Sequence, residues 1–201
     1  LKAVVSDSWD REAFAQEIQA RQQAEKAMQE IIAALQQEDF EGAIKLIDEN
    51  LEKSDNLQLR MLKIQVLLAS KQEDNAADLL TSMYKARQDE PSEINMIAWN
   101  FYQMAAQGRL DAKGPLLTTS QTAAAEAAER SEDASEKASL LDTIAHILFL
   151  QDDIDQAITT EEQAIELTTA ARDREFFEKF LDELKSAKAK PSAAAAVEAE
   201  K

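Results

Sequence analysis

The chain has no cysteine. That excludes a disulfide, a thiolate nucleophile and a cysteine-based metal site, and it leaves the redox compartment open. Glycine and proline number three each, too few to supply the turns of a β-sandwich or barrel. His146 is the lone histidine, and one histidine without cysteine or a second histidine cannot build a usual zinc site. No apolar run approaches the ~20 residues that a membrane-spanning helix needs. No glycine-rich phosphate loop exists: Gly114 and Pro115 precede a helical pattern, but no Gly-Lys pair follows. Positive charge is scarce too. With 22 basic residues against 39 acidic ones the net charge is -17, so nucleic acid and anionic membrane, both polyanions, are repelled. Basic or neutral partners are favoured; solubility alone is the plainer reading of the same charge.

What is present points to helices. Apolar residues make up 45% of 201 positions, enough for one or two compact units and too many for a disordered chain. Alanine, glutamate, glutamine, leucine and lysine dominate, the residues that lose least on entering a helix. The chain opens at Leu1 with no charged-then-apolar leader, so a piece of a longer protein is expected. From Ser8 onward, Trp9, Phe14, Ile18, Met28, Ile31, Ile32 and Leu35 recur at three- and four-residue steps, predicting a long helix over about 8–37. Further helices are expected after Gly42, from Leu57, before Tyr84, over about 93–107 with Ser92 as cap, over 117–131, around Leu140–Phe149, after Asp155, and over 171–188. The stretch from Arg109 to Pro115 is the longest irregular connection.

Three segments share one shape, an apolar helix followed by a polar turn, then a large residue or Asn, then alanine. They are Gln37 to Ala43, Gln72 to Ala76 and Gln151 to Ala157. Alanine at the close of each lets paired helices approach where the side chain is only a methyl. Ala43 and Ala76 lie 33 positions apart, close to the roughly 34-residue period of the tetratricopeptide repeat. The best match is Leu141, Ile144, Ala145 and Leu148, followed by Asp153, Ala157, Ile158, Ala164 and Ile165. Ile94, Ile97, Ala98 and Phe101 fit the first helix equally well. On these residues the chain resembles the tetratricopeptide repeat family over about 24–168. In the first two repeats the first-helix apolar residues sit one position late, and the third has lost its regular turn. The resemblance implies an all-α, right-handed helical repeat stack (α-α superhelix) with a long N-terminal helix and a C-terminal capping helix. The divisions expected are 1–23 as linker and N-terminal helix, 24–168 as repeats, 169–190 as capping helix and 191–201 as a disordered tail.

A narrower resemblance lies in Asn95 to Trp99 with Leu140 to Ala145, which is similar to repeat segments attached C-terminally to thioredoxin-like redoxins in some bacteria. Leu1 to Asp10 resembles the closing stretch of such a redoxin domain. This implies an upstream thiol–disulfide oxidoreductase whose cysteine pair lies outside this chain, and a periplasmic or cell-envelope location; without it the expectation is cytoplasmic.

In a repeat of this kind Ile94, Ile97, Ala98 and Phe101 take the packing positions. Asn95, Trp99 and Tyr102 are then displaced toward the concave side, and Asp142, His146 and Phe149 take the matching places one repeat later. An asparagine amide grips a peptide backbone and aromatic rings bury its side chains; alternatively Trp99 packs between repeats. The family's Lys/Arg clamp for C-terminal carboxylates is missing, since Asn95 and Asp142 stand where one of its lysines would be. His146 reads either as a pH-sensitive contact or as an ordinary polar residue. Asp152, Asp153 and Asp155 lack the glycine and distal glutamate of a calcium loop and read as a solvated turn and helix start. Glu161 and Glu162, adjacent on a helix, point apart, and the six acids between 151 and 171 read as an exposed face.

The sequence thus points to a module that binds a protein or peptide of basic or neutral character. No cofactor, metal, nucleic acid or membrane insertion is expected, and nothing catalytic in this chain. The alternative is a structural self-association domain, a homodimer formed through the first helix and the Phe176–Leu184 face.

Overall fold

The computed structural model describes residues 11–189, apart from the side chains at positions 12 and 20. The expected C-terminal tail and the redoxin-like opening stretch, up to Asp10, therefore lie outside the described residues. Every regular element among the described residues is a helix, and there is no sheet: α1 (Arg11–Gln36), α2 (Phe40–Leu51), α3 (Leu57–Ala69), α4 (Glu73–Ala86), α5 (Pro91–Ala106), α6 (Pro115–Arg130), α7 (Ala134–Leu150), α8 (Ile154–Leu167) and α9 (Ala171–Ala189). No helix among them is long and apolar enough to cross a membrane. The chain divides within α4 into two compact units, Leu1–Ala76 and Ala77–Lys201.

In the first unit α2 packs on both α1 and α3. Ile31, Ala43, Ile47 and Val66 form its centre. Ile31 and Ile47 are wholly buried, each contributing about 1.5–3 kcal/mol. In the second unit each helix from α5 to α9 packs on the next, and α5 also touches α7. A helix that meets both its successor and the one after it belongs to a stack of helix pairs, the general arrangement of helical-repeat proteins. Ile94, Ile97, Phe101, Leu117, Leu140 and Ile147 fill the interior. The alanines that close the three turn segments, Ala43, Ala76 and Ala157, are all wholly buried, as are Ala98, Ala145 and Ala164. Small side chains at these positions bring the backbones together.

One local device recurs. α1, α3, α5 and α7 each end on a residue in the left-handed region: Glu38, Lys71, Gly108 and Asp152, with φ of 57°, 61°, 70° and 67°. After each, the next N–H bonds back five residues, from Asp39 to Ala34, Gln72 to Leu67, Arg109 to Met104 and Asp153 to Leu148, at 2.8–3.0 Å. This satisfies the carbonyls that a helix end leaves open. Asp39 and Asp153 then cap the following helices, accepting from the N–H groups of Gly42 and Gln156.

Two helix starts differ from expectation. α5 begins at Pro91, not after Ser92, because proline's fixed φ suits the first helical position. The Ser92 hydroxyl instead donates to Glu136 on α7 at 2.8 Å. α6 likewise begins at Pro115.

Candidate functional site

The site lies in the second unit, where α5, α7 and α9 converge. α5 presents Trp99 and Tyr102 with ring centroids 4.7 Å apart. His146 of α7 meets both rings edge-on at 5.1 Å. α9 lays Phe180 flat on His146, with centroids 3.5 Å apart and the planes 12° from parallel. α9 thus covers part of the surface that a repeat stack would leave open. Phe180 follows from the α9 pattern: Phe177, Phe180 and Leu184 recur at helical spacing and are all buried. Phe176, one turn before Phe180, stands at the edge of this face and is 63% exposed. The Phe176–Leu184 face is therefore not a single surface available for self-association: most of it is spent inside the molecule.

What α9 leaves uncovered is a cleft of about 480 Å³. Trp99, Asp142, His146, Phe176, Phe180 and Glu183 form its main walls, with Asp173 and Lys179 at the rim of α9. Its lining carries three acids and one lysine.

Four of the six residues singled out in the sequence, Trp99, Tyr102, Asp142 and His146, come together here. Asn95 does not reach the cleft. Its Oδ1 accepts a 2.7 Å hydrogen bond from the Thr143 hydroxyl, which ties α5 to α7. Phe149 lies beyond Phe180, edge-on at 6.1 Å, and lines a separate shallow cleft with Lys179 and Glu183.

Beneath the cleft is a pair of acids. Glu161 of α8 is wholly buried, and neither of its carboxyl oxygens meets an N–H or O–H donor. What it faces is the carboxyl of Asp142. Two carboxylates cannot hydrogen-bond to each other, so the contact requires that one keep its proton. Burial drives both groups toward the neutral form: it lifts Asp142 to about 7, and burial together with the Asp142 charge lifts Glu161 to about 9. Glu161 is thus the proton donor and Asp142 the acceptor, which restrains the rise at Asp142. The expected solvated acidic face is corrected here. Glu161 shares a helix face with the buried Ala157, Ala164 and Thr168, whereas Glu162 points outward and pairs with Lys185 at 2.9 Å. The spacing 157–161–164–168 was the signal, since an acid in a line of small residues is an acid in the interior.

His146 is neutral in this setting, because burial lowers its pKa. Its Nδ1 lies 2.9 Å from the Asp142 carbonyl oxygen and 3.5 Å from Asp142 Oδ1. The carbonyl can only accept, so Nδ1 carries the hydrogen and donates along the helix. The Tyr102 hydroxyl also stays protonated, through burial and the nearby Asp142 and Glu183 charges.

Asp152, Asp153 and Asp155 form no cation site. Asp152 pairs with Lys113, Asp153 caps α8, and Asp155 pairs with Lys188. Among the described residues no group of three or more histidines and acids could hold a metal ion. With no cysteine in the chain, a thiolate nucleophile and a cysteine-based metal site are excluded. Protein-family models, curated proteins and solved structures were each compared with the chain, and none matches.

Proposed function

We propose that the chain is a tetratricopeptide-like module that binds an extended segment of another protein. The observation that carries this reading is the cleft between α5, α7 and α9. There aromatic surface from Trp99, His146 and the exposed Phe176 stands beside acidic side chains on a rigid helical frame. Aromatic anchors in a concave, partly dry site are the usual source of peptide affinity, and acids give it a charge preference. The further step, that this module follows a thioredoxin-like domain in a longer protein, rests on the sequence resemblance alone.

The test is an array of short peptides of basic, neutral and acidic composition, probed with the purified chain and followed by titration calorimetry. Basic and neutral peptides are expected to bind. Phe176→Ala, at an exposed position, should weaken capture roughly tenfold without moving the melting temperature. Trp99→Ala should abolish it. An array with no binder, or binding indifferent to both substitutions, would overturn the reading.

A second reading, self-association, is favoured by one feature of the first unit. Ile18, Met28 and Ile32 lie on one face of α1 and are exposed, bordering the wholly buried Ile31.

A further inference from the structure

We propose that the cleft takes one basic side chain, lysine or arginine, of the bound segment against Asp142, and that Asp142 sheds a proton as that charge arrives while Glu161 keeps its own. This deepens the peptide-binding reading and rests on it. Three observations converge. Asp142 lines the cleft. Glu161 stands behind it, sealed from solvent, with no donor for either oxygen. The walls are aromatic faces of the kind that attract a cation, with Asp173 and Glu183 at the mouth.

The sealed Glu161 gives the pair its direction. An ionised carboxylate there would have no protein donor and no contact with solvent, so Glu161 holds its proton and offers it to Asp142. Asp142 is the member the ligand can reach. In the empty cleft near neutral pH it is partly protonated, because burial disfavours its charge. An ammonium or guanidinium group placed against it reverses that balance. The Asp142 O–H bond breaks and its proton goes to the buffer. The charge of the pair falls by one as the cleft gains one positive charge, and Glu161 donates to the new carboxylate from below.

The other titratable groups around the pair do not supply this effect. From α5, Tyr102 stays protonated. On α7, His146 titrates below its usual range, so its influence falls in a more acidic window. α6 brings Glu126 and Arg130 to a different cleft, where they pair with each other. On α8, Glu162 is engaged with Lys185 of α9. α9 adds Glu183, Asp173 and Lys179 at the rim, exposed to solvent.

The experiment uses two capped pentapeptides, Ala-Ala-Arg-Ala-Ala and the same peptide with neutral citrulline in place of arginine. Binding is measured by calorimetry at about pH 6 and about pH 8, in buffers of differing ionisation heat. The arginine peptide is expected to bind about tenfold more tightly at the higher pH and to release close to one proton per complex at the lower, where Asp142 is mostly protonated. Citrulline should bind at least roughly tenfold more weakly and release none. Asp142→Asn should remove both the arginine preference and the proton release. Glu161→Gln keeps a neutral donor beneath Asp142 and should leave both the arginine preference and the proton release intact. His146→Gln should leave the dependence in place. Equal binding of the two peptides, or arginine binding without proton release, would overturn the proposal while leaving the groove reading intact, and this holds whether or not the variants fold. If neither peptide binds but neutral peptides from the array do, the cation site fails alone. If no peptide of any composition binds, the groove reading fails with it.

Discussion

Glu161 is the residue at which this molecule departs furthest from ordinary packing. Its carboxyl sits at zero exposure without a donor, a position most interiors fill with an aliphatic side chain. The cost is pH-dependent. Unfolded, the two acids ionise near the ordinary values of 3.8 and 4.5; folded, Asp142 and Glu161 hold their protons to about 7 and about 9. Across that interval the native chain binds more protons than the unfolded chain, so stability falls as pH rises. His146, whose folded pKa is lowered, acts in the opposite sense, but only up to about the ordinary value of 6.5. Between about pH 6.5 and 9 the acid pair therefore sets the slope. The melting temperature should fall across this window. Glu161→Met should flatten the fall and stabilise the chain by about 1–3 kcal/mol at the alkaline end, since a well-packed apolar side chain replaces a buried charge. A scan of melting temperature against pH for the two proteins checks this, and a wild-type curve that rises over the window would refute it. Only the burial of Glu161 was legible in the sequence, in its helical spacing with Ala157, Ala164 and Thr168; the pairing with Asp142 was not. Glu161 stands in a run of acids whose members otherwise face water, and its partner comes from the preceding helix.

Among the elements, the helices themselves were legible, but where they start was less so. Pro91 and Pro115 open helices because their missing N–H costs nothing there, and Asp39 and Asp153 cap because a short carboxylate reaches back to free N–H groups. The polar turn segments were visible as a repeated composition. Their shared backbone was hidden, because the left-handed position is filled by glutamate, lysine, glycine and aspartate in turn. Only Gly108 carries the usual residue for that conformation, and it lies in the repeat whose sequence looked least regular. The cost of holding an L-residue there is about 1–2 kcal/mol, partly offset because glycine loses more freedom on folding. Lys71→Gly is therefore expected to stabilise the chain by about 0.5–1 kcal/mol. Gly108→Ala should destabilise it by about 1 kcal/mol although no atom lies within 4 Å of the added methyl, so the loss is conformational and not steric. Urea denaturation of both variants measures the two effects, and opposite signs are required. The cluster that α5, α7 and α9 form was legible only in part. Trp99, Tyr102, Asp142 and His146 were found by their register within α5 and α7. That α9 folds back to stack Phe180 on His146 depends on a contact between distant helices, which periodicity within one helix cannot show.

For the whole molecule the deciding quantity is charge. At a net -17 every copy repels every other, and a basic segment is attracted before it touches the surface. The two readings of function therefore respond to salt with opposite signs. Capture of a basic peptide in the acidic cleft should weaken as salt screens the attraction, by roughly three- to tenfold in association rate between low and high ionic strength. Self-association through Ile18, Met28 and Ile32 of α1 should strengthen, because salt removes the repulsion between copies while leaving apolar burial in place. It should strengthen again as pH falls toward the isoelectric point near 4.5. Light scattering over a salt series, run beside stopped-flow peptide binding, separates the cases. If mass grows with salt and Ile18→Lys with Ile32→Lys returns the chain to a monomer, α1 is an interface between copies. If mass stays constant while the peptide association rate falls, the cleft in the second unit carries the function and the exposed face of α1 is not an interface between copies.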